Sequence, residues 1–123
     1  MKLFLILGGM SGFLFVALGA FGAHALNDKL EAMGYKGTFE TGVQYHMIHT
    51  MAIIAVAILM NHLSSTGLLT AAGWSFFAGI VLFSGSLYAL SLTGIRVLGA
   101  ITPIGGVAFI AGWILIAIAA VVE

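Results

Sequence analysis

Between Thr41 and His62 the chain carries a hydrophobic run that can cross a bilayer only by taking two histidines with it. The most apolar part, Met47 to Met60, is about 14 residues long, whereas a hydrocarbon core of about 30 Å asks for roughly 20. The helix therefore has to begin near Thr41 and hold both His46 and His49 within the membrane. At about 1.5 Å of rise per residue, His49 lies roughly 12 Å below that start, close to the bilayer centre. Residues three apart share a helix face. Polar groups at such depth are costly and need partners inside the protein, so the other segments are expected to wall in this one.

The rest of the sequence supplies those walls. Of 123 residues, 62% are hydrophobic and only 7% are charged, with four Lys/Arg balanced by four Asp/Glu. That is far too little charge to cover a soluble domain. The chain reads as a single domain, residues 1–123, spanning the membrane at about 3–26, 41–62, 68–92 and 98–122. The fold class that follows is all-α, an integral membrane four-helix up-down bundle, with the lipid bilayer as its surroundings. No basic patch is present to attract nucleic acid. The absence of cysteine excludes disulfides, thiolate nucleophiles and cysteine metal sites.

Local signals fill in the outline. Ala23-His24-Ala25 has the form of a signal-peptidase site, but the apolar run before it exceeds the roughly 7–15 residues of a signal peptide, which favours a retained helix. Gly8 and Gly12, Gly19 and Ala23, and later Gly105, Gly106 and Gly112 are small residues that let helices pack closely. They predict a tight bundle with little room for a wide pore. Residues Asn27 to Met33 form either a short interfacial helix, broken by Gly34 and Gly37 and resting Leu30, Met33 and Tyr35 at the headgroup boundary, or a plain polar connector. Thr102-Pro103 fits the first turn of the last helix, where a missing N–H costs nothing. Lys29, Lys36 and Arg96 fall on one side of the membrane and Lys2 on the other. The positive-inside rule then puts the connectors in the cytoplasm and both termini outside a cytoplasmic (cell) membrane.

Alternating helix directions gather the polar residues. The end of the first span, the start of the second, the end of the third and the start of the fourth share one leaflet. There lie His24, then Gln44, Tyr45, His46 and His49, then Ser84, Ser86 and Tyr88, then Thr102. The opposite half offers little beyond Ser11 and Ser75. Buried donors and acceptors in lipid must satisfy one another, so a polar cluster in the cytoplasmic half is expected.

Three functions fit such a cluster. It can staple the helices together in a structural or interaction protein, one that pairs with a second copy of itself or with another membrane protein. It can hold a small ligand, a lipid or a metal. It can belong to an oligomeric ion or proton conduit. Among metal ligands the candidates are His46, His49 and His24, though two histidines three apart without an acidic neighbour are commoner as packed residues. No Asp or Glu lies within a span to support Ser84 or Ser86 in nucleophilic catalysis, and no phosphate-binding loop is present. The expectation is a protein that is not an enzyme and carries no cofactor.

Five motifs in order resemble the YgdD/YwdK family of small bacterial membrane proteins, which has a distant human transmembrane relative. They are Gly19-Ala-Phe-Gly-Ala-His24, Thr41-Gly-Val-Gln-Tyr-His46 with His49, Phe83-Ser-Gly-Ser-Leu-Tyr88, Thr102-Pro-Ile-Gly-Gly106 and Gly112-Trp113. The resemblance covers essentially the whole chain and implies four transmembrane helices. It assigns no catalytic or binding residue.

Overall fold

The computed structural model describes residues 1–123, which form helices and no strand. Helix α1 is Lys2–Ala23, α2 is Asn27–Met33 and α3 is Lys36–Leu59. The third apolar segment is one long helix, Thr66–Thr93. It consists of α4 (Thr66–Gly79), a π-helical turn (Ile80–Ser84) and α5 (Gly85–Thr93). A 3-10 turn, Arg96–Ala100, leads into α6, Thr102–Val121, with Pro103 in its first turn. Four of these helices are long and apolar enough to cross a membrane.

Gly34 acts as the sequence pattern expects, whereas the start of α3 differs from it for a local reason. Gly34 adopts a left-handed conformation, φ 77°, and ends α2 there. Gly37 breaks nothing: α3 starts at Lys36, five residues ahead of Thr41, so Lys36 and Glu40 ride on its first turns. The segment after Gly34 is thus the protruding base of α3, and His46 and His49 sit well inside the helix. Leu30 of α2 is fully buried against the bundle rather than resting at the headgroup boundary.

Helix directions alternate, and the ends meet as that requires. Asn61, in the connector after α3, donates to the Met1 sulfur at 2.7 Å. Ser64 donates its backbone N–H and its hydroxyl to the Glu123 carboxylate, each at 3.0 Å. Both chain ends and the 60–65 connector therefore share one face of the bundle. Helix α1 packs on α3, α6 packs on α4, and α3 also lies along the third helix. The shared core is Phe4, Ile53, Val56, Leu69, Phe76 and Phe109 with their smaller neighbours.

The glycines act mostly as sockets. Phe4 fills the notch at Gly73, Phe109 the notch at Gly79, Phe76 the notch at Gly112 and Phe39 the notch at Gly22. Close approach of backbones occurs at Gly105, which lies against the backbone nitrogen of Phe83 in the π turn. Helix α1 is the outlier of the bundle. Met10, Phe13, Leu14 and Val16 are all exposed, because α1 touches α3 and leaves most of its circumference to lipid.

Candidate functional site

Two hydrogen-bonded groups run across the bundle, both anchored on α3. In the first, His46 Nε2 and Ser11 Oγ of α1 are hydrogen bonded at 2.8 Å. Ser11 Oγ also bonds Thr50 Oγ1 at 2.6 Å, and His46 Nδ1 bonds the Tyr88 hydroxyl of α5 at 2.9 Å. His46, Thr50 and Ser11 are buried, at 3%, 2% and 7% exposure, while Tyr88 is half-buried. The small residues make this reach possible. A Cβ on Gly12 would stand 3.8 Å from the Thr50 methyl, and Gly42 leaves the space over which the Tyr88 ring lies.

The second group centres on His49. Its Nδ1 donates to the Tyr45 carbonyl at 2.7 Å, and its Nε2 accepts from the Trp113 indole of α6 at 3.1 Å. The imidazole lies flat on Phe109, ring centroids 3.5 Å apart. With both nitrogens committed and 4% exposure, His49 is a satisfied interior residue.

The remaining polar residues close short local bonds. Ser84 donates to the Gly42 carbonyl at 2.7 Å, tying the third helix to α3. Ser86 Oγ and Thr102 Oγ1 are 2.6 Å apart, tying α5 to α6. Tyr45 packs on Phe83 at a tilt of 36°, ring centroids 4.4 Å apart, and is exposed. Gln44 is exposed and borders a smaller pocket near Lys36 and Glu40. His24 lies exposed just past the end of α1, away from both groups.

The expected single cluster is therefore divided. Tyr88 joins His46, whereas His49 turns to α6, and Ser84, Ser86 and Thr102 bond elsewhere. His24 and Gln44 take no part. The three candidate metal ligands do not converge, and no group of three or more His, Asp or Glu side chains is gathered anywhere. Ser11, expected in the opposite half, lies midway along α1, and His46 is deeper than a helix start at Thr41 implies; the two meet in the middle. Thr50 and Trp113 are additions. Thr50 is four residues from His46 on the same face, and an indole N–H in lipid needs an acceptor; both signals are in the sequence.

A groove of about 480 Å³ opens between α1 and the third helix. Leu7, Met10 and Leu14 form one wall, Phe77 and Val81 the other. Ser11, His46 and Tyr88 of the first hydrogen-bonded group lie along its back, and Met10, Leu14 and Val81 are exposed at its rim. The groove opens sideways, toward the region that lipid occupies. It arises because α1 leans on α3 and scarcely touches the third helix.

Comparison with known proteins agrees with this architecture. Residues 18–106 match a family described as "Protein of unknown function (DUF423)". The UPF0382 membrane protein YwdK of Bacillus subtilis (strain 168) is 58% identical over 121 residues, 98% of either chain. A UPF0382 membrane protein of Staphylococcus epidermidis is 47% identical over 119 residues, covering 97% of this chain and 95% of its own. The UPF0382 inner membrane protein YgdD of Escherichia coli (strain K12) is 45% identical over 123 residues, covering 98% and 90%. No solved structure matches. An all-helical bundle with four membrane-length helices, matched nearly end to end by proteins named for the membrane, belongs to the DUF423 family of integral membrane proteins.

Proposed function

We propose that this protein is a non-catalytic membrane protein that holds a membrane-soluble small molecule in the groove between α1 and the third helix. One observation carries the reading: the groove has apolar walls and an open lipid-facing rim, yet its back is made of hydrogen-bonding side chains. Ligand sites typically combine an apolar lining with a few placed polar groups. His49, Ser84, Ser86 and Thr102 have a different role in this reading. Their bonds join helices, with contributions of about 0.6–2 kcal/mol each in membranes, and they staple the scaffold that keeps the groove in shape. The protein acts in the cell membrane, with the connectors bearing Lys29, Lys36 and Arg96 on the cytoplasmic side.

The test is photolabelling of the full chain in vesicles by a phospholipid with a diazirine in its acyl chain. The expected result is preferential labelling at Met10, Leu14 and Val81. A side chain at position 85 would meet no nearer obstacle than the Ile80 carbonyl at 3.9 Å, so Gly85→Leu fills the groove and should abolish that preference. Labelling spread evenly over the exposed faces of α1 and α6 would overturn the groove. A probe recovered with altered mass apart from the photoadduct would overturn the non-catalytic half.

A further inference from the structure

A second, smaller cavity lies at the end of the bundle where α1 stops and α3 begins. It measures about 200 Å³ and shares no lining residue with the groove. Along one side run Lys36, Glu40 and Gln44 of α3, four residues apart and therefore on one helix face. The facing wall is the last turns of α1, where Gly19 and Gly22 have no side chain to cover the backbone. Leu30 of α2 and Phe39, both buried, supply its apolar part.

The charges in this cavity are out of balance. Lys36 is its only cation, and Lys36 Nζ is drawn off to Glu31 of α2 at 3.2 Å, the sole ion pair in the protein. A lysine four residues ahead of a glutamate is also the weaker order for a pair along a helix, which favours Glu31 over Glu40 as its partner. The Glu40 carboxylate and the Gln44 amide make no hydrogen bond or ion pair. The C-terminal end of α1 adds the partial negative charge of its last carbonyls, and no basic residue stands in its last turn to offset it. Carboxylates and carbonyls accept and do not donate. The group that complements this cavity is a positively charged donor.

We infer that this cavity is a binding site for a primary ammonium group, with Glu40 as its counter-ion and the Gln44 side-chain oxygen as a second acceptor. An ammonium on a carbon stem carries three N–H donors, and the stem finds apolar contact on Leu30, Phe39 and Val43. A metal ion fits less well. Calcium and magnesium take six or more oxygen ligands, and no group of three or more His, Asp or Glu side chains is gathered here. At about 200 Å³ the cavity is smaller than the roughly 300–1,000 Å³ of ordinary ligand pockets, so it takes an aminoethyl-sized fragment and not a whole lipid. Two sources offer that fragment: the ethanolamine headgroup of a phospholipid, or a free amine in the aqueous phase. A choline headgroup has no N–H to donate.

The experiment is a competition by native mass spectrometry on the full chain in mild detergent. Phosphatidylethanolamine and phosphatidylcholine of equal chain length are offered together; their net charge is the same, so the comparison isolates the N–H donors. The wild type should retain the ethanolamine lipid about tenfold over the choline lipid, the scale of one charge-assisted hydrogen bond. Glu40→Gln should retain the two equally with an unchanged unfolding midpoint, since Glu40 is exposed. Lys36→Gln should keep the full preference, and so should Gly85→Leu, which fills the groove; loss of preference in Gly85→Leu would move the site to the groove and overturn the inference. A wild type that does not discriminate is then titrated, free of lipid, with ethanolamine. Saturable binding that Glu40→Gln abolishes assigns the site to a free amine. Neither discrimination nor saturable amine binding overturns the inference, as does a preference that survives Glu40→Gln. Magnesium binding in place of either amine, abolished by Glu40→Gln, overturns the ammonium.

Discussion

Trp113 Nε1 donates to His49 Nε2 across 3.1 Å while His49 Nδ1 donates to the Tyr45 carbonyl at 2.7 Å, so His49 is a neutral imidazole with its proton on Nδ1. An indole nitrogen only donates and a carbonyl only accepts. Trp113→Phe keeps an aromatic ring beside Phe76, now 4.9 Å away, but strands the Nε2 lone pair. The expected loss is about 0.6–2 kcal/mol, read from reversible denaturant unfolding in mixed micelles. His49→Ala combined with Trp113→Phe should cost less than the sum of the two.

Gly105 and Gly106 are adjacent and should respond in opposite ways to alanine. A Cβ at Gly105 runs into the Phe83 backbone, which has nowhere to retreat, whereas at Gly106 the nearest atom is a ring carbon 3.9 Å away. Gly105→Ala should destabilise by about 1–3 kcal/mol or more. Gly106→Ala should be neutral or slightly stabilising. Unfolding midpoints of the two variants, measured side by side, decide this.

Ser11→Ala and Thr50→Val each remove one end of the same 2.6 Å bond. Thr50→Val should cost about 0.6–2 kcal/mol, and Ser11→Ala more, because it also takes away the partner of His46 Nε2. The double variant should fall short of the sum, because the second change deletes a bond already lost. Strict additivity in the cycle would show that this bond contributes nothing to holding α1 on α3.

At the opposite end of the molecule, hydrogen bonds from the backbone N–H and hydroxyl of Ser64 hold the Glu123 carboxyl below its usual range. A depressed folded-state value means a contribution that is present above the unfolded carboxylate pKa and lost as pH falls through the folded one. The Ser64 amide resonance should therefore titrate with a midpoint below that of an unperturbed glutamate. In Glu123→Gln that titration should vanish.

The chain has no cysteine, so a single one reports orientation cleanly. Glu123→Cys should react with an impermeant maleimide in intact cells, and Arg96→Cys only after lysis. The reverse pattern would place the basic connectors outside.

The spans were legible because hydropathy over some twenty residues is hard to mistake for anything else, and the alternating directions followed from short connectors. The polar residues could be named from the sequence but not paired. His46 and His49 are only three apart, yet the 60° between them on the helix is enough to send one toward Ser11 and Tyr88 and the other toward Trp113. Pairing depends on which neighbour stands at each azimuth, and that is set by aromatic side chains seated in glycine notches on other helices, such as Phe4 at Gly73 and Phe109 at Gly79. The start of α3 is not legible in the sequence because Gly37 looks like a breaker, whereas Gly34 alone takes that role through its positive φ.

The π turn at Ile80–Ser84 closes with the Gly85 N–H bonded to the Ile80 carbonyl, five residues back instead of four. One extra residue is thereby stowed in the middle of the third helix, and the two halves run out of phase by about 100° relative to an unbroken α-helix. Phe76 and Ile80 keep the azimuth of the core while Ser84 and Tyr88 are rotated onto α3. Deleting Val81 would remove the stowed residue and let an unbroken α-helix carry every later side chain at its present bearing, so the bulge and its extra residue are matched to each other. Phase between the two halves, not greasiness, is what this helix has to conserve.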